Sequence, residues 1–383
     1  MRNVELGINS SSIRNPKSEI INPQFEKGGG MNVNKINVLV VEDSPLMRML
    51  LTRLLDSDPQ MNVIGTANNG QEAIDFIAIK KPDVILMDVN MPKMNGYEAT
   101  RRIMETQPVP IVISSATLKT EELSETFHAM EVGALAFVEK PAGLGSPGFD
   151  QTVQKLVQTL KLMAEVKVVK RWSRDRFSGN NVVAQQMREL PRRIEPIQVV
   201  AIGASTGGPA VIQTILNGLP EHYPVPILVV QHIAAGFLEG MADWLRQTAR
   251  LPIKLAIHGD TALAGNVYLA PDGFHMGLMP GGQILLSSDA PENALRPAVS
   301  FLFRSVANVC AGRAVGVLLT GMGRDGAKEL KLLKDKGAIT IAQDAETSVI
   351  NGMPGEAMRL GAALYALPPE QIALMLVNLV NRK

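Results

Sequence analysis

Residues 198–216 read QVVAIGASTGGPAVIQTIL. Val199–Ile202 is an apolar, β-branched run. Gly203-Ala204-Ser205-Thr206-Gly207-Gly208 then makes a tight turn, and from Pro209 apolar residues return at helical spacing. Strand, glycine turn and helix open a βαβ unit, and two chemistries use such a turn. Bare backbone N–H groups at the helix start can cradle a phosphate. Alternatively, a G-x-S-x-G elbow presents a serine nucleophile. The stretch lacks the lysine of a P-loop and the third-glycine spacing of a dinucleotide fingerprint.

The pattern recurs in both directions from this stretch. Toward the C-terminus, apolar runs stand at Ile227–Val230, Val267–Leu269, Val315–Leu319 and Ala338–Ile341. Toward the N-terminus they stand at Val38–Val41, Val84–Met87, Ile111–Ile113 and Ala136–Val138. Near-continuous Val/Ile/Leu runs separated by helical patterns predict parallel strands buried on both faces. The fold class is therefore α/β, with two doubly wound parallel-sheet domains. Such sheets bind ligands beyond the carboxyl ends of their strands, which gives a filter for functional residues.

The 383 residues carry 38 Lys+Arg against 37 Asp+Glu, a net charge of +1 that excludes a uniformly basic nucleic-acid coat. The average conceals a pattern. Residues 35–141 hold 10 basic against 15 acidic residues, 161–195 hold 9 against 4, and 196–383 hold 14 against 14. An acidic first domain, a basic connector and a balanced second domain follow. The single cysteine, Cys310, excludes an intrachain disulfide and a multi-cysteine metal site. No apolar run reaches the roughly 18 residues of a membrane span, and the first 30 residues lack a secretory apolar core. A cytoplasmic protein without membrane insertion is expected. Residues 1–34, polar and ending in Gly28-Gly29-Gly30, read as a disordered leader, with Met31 a second candidate start. Residues 151–171 show helical spacing, and 172–195 read as linker.

In the first domain the strand-end filter collects Glu42 and Asp43, then Asp88, then Ser114 and Ser115, then Lys140. Three carboxylates at one sheet edge repel one another unless a cation joins them, and Mg²⁺ suits a few carboxylates plus a phosphate. In the second domain Ser205 needs a base and an orienting acid. Three of the five histidines close strands or follow them: His232, His258 and His275. His232 gains weight because its strand directly follows the Ser205 helix. Asp325, in Thr320-Gly321-Met322-Gly323-Arg324-Asp325-Gly326, is the strand-end acid, and it could equally cap the helix starting near Ala327.

The strings VLVVEDS, VILMDVNMPKMNG, VISSAT and FVEKP resemble the receiver domain of two-component response regulators. The strings AIGASTGGP, VVQHIAAGF, VYLAPDGFHM, LRPAVSFLF, GVLLTGMGRDGA and TIAQDAETSVINGMPGEA resemble the catalytic domain of bacterial chemotaxis protein-glutamate methylesterases. The resemblance implies a disordered leader over 1–34, a flavodoxin-like receiver over 35–150, a helix and basic linker over 151–195, and a Rossmann-like methylesterase domain over 196–383. It makes Asp88 the phosphoacceptor. Glu42, Asp43, Asp88 and the Asn90 carbonyl would hold Mg²⁺, Ser114 (or Ser115) and Lys140 would contact the phosphoryl group, and Phe137 would be the aromatic switch. It maps a catalytic triad onto Ser205, His232 and Asp325; Thr206 and Met322 supply candidate oxyanion N–H groups. The implied function is phosphorylation-activated removal of methyl esters from receptor glutamates, with deamidation of receptor glutamines. A chemotaxis histidine kinase would be the phosphodonor and methyl-accepting chemoreceptors the substrates. The unphosphorylated receiver is expected to pack over the Ser205 edge. The chain departs from the family pattern at Ser300, where Asp is usual, and at Asn351, and neither is expected to touch the triad. Other readings are a methylesterase of a non-flagellar pathway, a hydrolase using His258 or His275 as base, and a non-enzymatic, DNA-binding regulator supported only by the basic 161–195 stretch.

Overall fold

The computed structural model describes residues 35–115, 127–143, 145–146, 148–166, 168 and 196–381. The expected leader and nearly all of the basic linker lie outside the described residues. Both remaining regions form parallel sheets. The first sheet is built from β1 (Ile36–Val41), β2 (Met61–Ala67), β3 (Val84–Asp88), β4 (Ile111–Ser115) and β5 (Ala136–Glu139), in the order β2-β1-β3-β4-β5. The second uses β6 (Val199–Ala204), β7 (Ile227–Gln231), β8 (Ile253–Leu255), β9 (Val267–Leu269), β12 (Ala314–Leu318), β13 (Ile339–Gln343) and β14 (Tyr365–Leu367), in the order β14-β13-β12-β6-β7-β9-β8. Between β9 and β12, β10 (His275–Leu278) and β11 (Ile284–Ser287) form a separate antiparallel hairpin.

The apolar runs become strands because both faces of each sheet are covered. β3 and β6 are buried at every position. In the first unit, side-chain caps start the helices soon after strand ends: Ser44 accepts from Met47 N–H at 3.4 Å, and Asn95 accepts from Glu98 N–H at 2.9 Å. The winding direction reverses between β1 and β3 in the first sheet and between β6 and β12 in the second, so each sheet has one crevice at a topological switch point.

The helix expected over 151–171 spans Phe149–Ala164 and belongs to the first sheet rather than to the connector. Its Leu156, Leu160 and Met163 are buried with Val84, Leu86 and Val112. Burying a side chain of that size is worth about 1.5–3 kcal/mol, enough to fix the helix on the sheet. The first unit therefore runs past residue 150, to Ala164. At the other end, Pro369–Val380 packs on the helix Gly208–Asn217, and Tyr223, in the connection that follows that helix, donates its hydroxyl to Leu376 O at 3.1 Å. Cys310 is buried among apolar residues. Among the described residues no helix is long and apolar enough to cross a membrane.

Candidate active sites at the two sheet edges

At the first switch point Glu42 and Asp43 follow β1, Asp88 ends β3, Ser114 lies on β4 opposite Asp88, and Lys140 follows β5. Glu42, Asp43 and Asp88 each offer a ligand atom, and all lie within 4.8 Å of one another. Glu42 and Asp88 are buried, and burial raises the pKa of both carboxyls although Lys140 pulls the other way. The Lys140 ammonium bridges them, 2.7 Å from Glu42 Oε2 and 2.8 Å from Asp88 Oδ2. Burial opposes the lysine's charge, but the two carboxylates outweigh it and its pKa is raised. Backbone N–H groups of Val89 and Asn90 also reach the Asp88 carboxylate. Ser114 Oγ is buried and has no hydrogen-bond partner among the described residues. The donor set is hard oxygen with excess negative charge, which fits Mg²⁺.

At the second switch point Ser205 follows β6, His232 follows β7, and Asp325 lies in the loop after β12, on three adjacent strands. Ser205 N–H donates to Thr320 O at 3.0 Å, and His232 N–H donates to Ala204 O at 2.9 Å, so backbone bonds tie all three loops together. His232 Nε2 lies 3.0 Å from Asp325 Oδ2, with both side chains nearly out of solvent. Burial alone would raise the Asp325 pKa. Hydrogen bonding and charge from His232, with donors from Ser300 and Val299 N–H, outweigh it and hold the carboxyl below its ordinary value.

Glycine makes the elbow possible. Gly207 has φ +78°, where a side chain is strained. At Gly208 a Cβ would fall 2.2 Å from Gln231 Oε1. That glutamine was not singled out from sequence. Its Nε2 donates to Ser205 O at 2.8 Å and to His232 O at 2.9 Å, joining the serine loop to the histidine loop. Thr320 does the same on the other side, its hydroxyl donating to Thr206 O at 3.0 Å. Both are polar residues at strand ends, so the filter could have found them.

The other two histidines are elsewhere. His258 Nδ1 accepts from Leu286 N–H at 3.1 Å. His275 is fully buried, its Nε2 facing Ala290 O at 3.1 Å and its Nδ1 accepting from Ala298 N–H at 3.2 Å. One expectation is corrected. Ser300 does touch Asp325, the acid of the expected triad: it lies in the first turn of the helix Val299–Val309, and its hydroxyl donates to Asp325 Oδ1. Asn351 pairs with Gly321, next to Met322.

The first unit covers this second edge. Phe137 stacks on Phe237 with centroids 5.1 Å apart, and Phe127 stacks on Trp244 at 5.5 Å. Glu131 Oε1 accepts from Gln213 Nε2 at 2.6 Å and from Trp244 Nε1 at 2.9 Å. A cavity of about 400 Å³ remains between them, lined on one side by Ser205, Thr206, His232 and Met322, and on the other by Phe137 and Lys155.

Residues 200–376 match the family described as CheB methylesterase, and residues 38–146 match the response regulator receiver domain. The protein-glutamate methylesterase/protein-glutamine glutaminase of Nitrosospira multiformis is 53% identical over 349 residues, covering 91% of this chain and 98% of that protein. The chain belongs to the CheB methylesterase family. A relative of the same description from Syntrophus aciditrophicus is 50% identical over 346 residues, 90% of this chain and 99% of that one. The solved catalytic domain of Thermotoga maritima CheB methylesterase is 39% identical, covers 49% of this chain and 100% of that chain, and superposes with a TM-score of 0.47. The chain is thus a serine-type hydrolase, a protein-glutamate methylesterase/protein-glutamine glutaminase with a receiver domain, consistent with chemotactic adaptation.

Proposed function

We propose that Ser205, His232 and Asp325 carry the hydrolysis and that Asp88 controls it. The supporting observation is the meeting of the three residues on adjacent strands, with His232 Nε2 at 3.0 Å from Asp325 Oδ2. In this mechanism Asp325 orients His232 through Nε2, and Nδ1 serves as the base. Ser205 Oγ attacks the carbonyl carbon of a γ-glutamyl methyl ester on a methyl-accepting chemoreceptor as Nδ1 takes its proton. Backbone N–H groups of Thr206 and Met322 receive the oxyanion; one such donor is worth about 3 kcal/mol in the transition state. Collapse breaks the C–O bond, and His232 returns the proton to the departing methoxide as methanol. Water, deprotonated by the same nitrogen, cleaves the acyl-serine to glutamate and restores Ser205. With a glutamine side chain the leaving group is ammonia.

In the receiver, the Asp88 carboxylate takes a phosphoryl group from the phosphohistidine of a chemotaxis kinase. Bound Mg²⁺ supplies charge neutralisation for the transferring group. Glu42, Asp43, Asp88 and the Asn90 carbonyl would hold it. Lys140, 2.8 Å from Asp88, and the buried Ser114 hydroxyl on the neighbouring strand would contact the phosphoryl oxygens. The covered Ser205 edge supports a closed resting arrangement that phosphorylation disfavours, a population shift that requires the phosphoryl group to stabilise the open form more than the closed one. Methanol release from methylated receptor membranes, with and without acetyl phosphate, tests the switch. D88A should keep the basal rate and lose the response; a retained response would remove Asp88 from this role.

A further inference from the structure

We infer that Ser300 is a positioning residue for the hydrolysis, its hydroxyl clamping the Asp325 carboxylate so that Oδ2 stays aimed at His232. The inference rests on the triad reading above and extends it to a residue outside the triad. Ser300 is 3% exposed and stands at the start of the helix Val299–Val309. Its Oγ donates to Asp325 Oδ1 and accepts from Gly326 N–H at 3.2 Å. A hydroxyl has one proton. Because Gly326 N–H can only donate, that proton is committed to Asp325, and the clamp has a fixed direction.

The two carboxylate oxygens are thereby given separate duties. Oδ2 takes Val299 N–H at 2.7 Å and faces His232 Nε2 at 3.0 Å. Oδ1 takes the Ser300 hydroxyl and, more weakly, Ser300 N–H at 3.2 Å. Asn293 Nδ2 stands further off, at 3.5 Å. Without the hydroxyl, Oδ1 keeps only long contacts, and the carboxylate can turn about its terminal bond. His232 then loses the partner that fixes its tautomer. A Cβ at Gly326 would fall 2.4 Å from Val299 Cγ1, so the loop carrying Asp325 is packed directly on the helix start, and the clamp spans a short and rigid gap. The backbone bonds from Val299 and Ser300 survive S300A, so the substitution isolates the hydroxyl.

The test uses the full chain with acetyl phosphate and methylated receptor membranes. S300A should lower kcat for methanol release about tenfold with KM unchanged, the scale of a lost hydrogen bond to a charged group. S300T, which keeps the hydroxyl, should stay within about threefold of the parent on the same reasoning. Nitrogen-15 NMR of His232 should show one Nε2–H tautomer in the parent and a mixture in S300A, a change that a merely structural serine would not produce. S300A within twofold of the parent and with a single tautomer overturns the inference, as does S300T losing as much as S300A. D325N separates the two layers. If D325N is inactive while S300A is normal, only the role of Ser300 falls. If D325N is fully active, the triad reading falls and takes this inference with it.

Discussion

Removing Glu131 should release the catalytic edge without phosphorylation. Its Oε1 accepts from both Gln213 Nε2, at 2.6 Å, and Trp244 Nε1, at 2.9 Å, across the receiver–catalytic boundary. In the open form both donors turn to water; in a closed E131A they stay covered and unsatisfied. Losing these two bonds therefore costs the closed form alone. A hydrogen bond to a charged group is worth about 1.5–3 kcal/mol, and since the Glu131 side chain is 28% exposed, about 2 kcal/mol for the pair is a fair scale. His128 Nδ1, 3.1 Å from Oε2, belongs to the same unit and cancels between the two forms. A shift of about 2 kcal/mol changes the closed:open ratio about thirtyfold, so a resting population of about 1% open would become about a fifth open. Basal methanol release should rise about twentyfold, and the further gain from acetyl phosphate should shrink to a few-fold. A well-folded E131A with parental basal activity and an undiminished response to the phosphodonor would refute the closed-interface reasoning.

Three further outcomes follow from the site. H232A should lose methanol release about a thousandfold or more, as removal of a triad base does, whereas H258A should remain within twofold of the parent. G208A should push aside Gln231, whose Oε1 would lie 2.2 Å from the new Cβ, costing about 1–3 kcal/mol of stability in denaturant melts and at least tenfold in kcat. Asp325 has a folded pKa below its ordinary 3.8, so it contributes stability in full above that pH and loses it as the pH falls from there through the folded value; the stability gap between parent and D325N should be open at pH 7 and closed in strong acid. A gap independent of pH would show that the carboxylate's hydrogen bonds do not depress its pKa.

The sheet strands were legible because burial on both faces leaves an unbroken apolar signature, and Val84–Met87 and Val199–Ile202 carry it plainly. Short strands such as Tyr365–Leu367 carry too few residues for a period to show. The filter of carboxyl-terminal strand ends picks out Asp88, Lys140, Ser205, His232 and Asp325, because in a parallel sheet every strand's carboxyl end lies on one edge whatever the strand order. By itself it passes His232, His258 and His275 alike; the weight given to His232 comes from the expected neighbouring of its strand with the Ser205 strand, and β6 does pair with β7. Contacts between distant segments left no local trace. Ser300 meets Asp325 across a separation of 25 residues, where no spacing rule applies. Phe237, at the N-cap of the helix Leu238–Thr248, and Trp244 within it meet Phe137 and Phe127 only in the packed structure. The helix Phe149–Ala164 was visible as a helix, but its allegiance to the first sheet is a matter of which apolar face it covers, and that is tertiary information.

The most direct measurement is methanol release by S205A on methylated receptor membranes with acetyl phosphate present. A loss of about a thousandfold or more is expected, with the fold and the phosphorylation of Asp88 intact. Release by S205A at a rate near the parent's would contradict it.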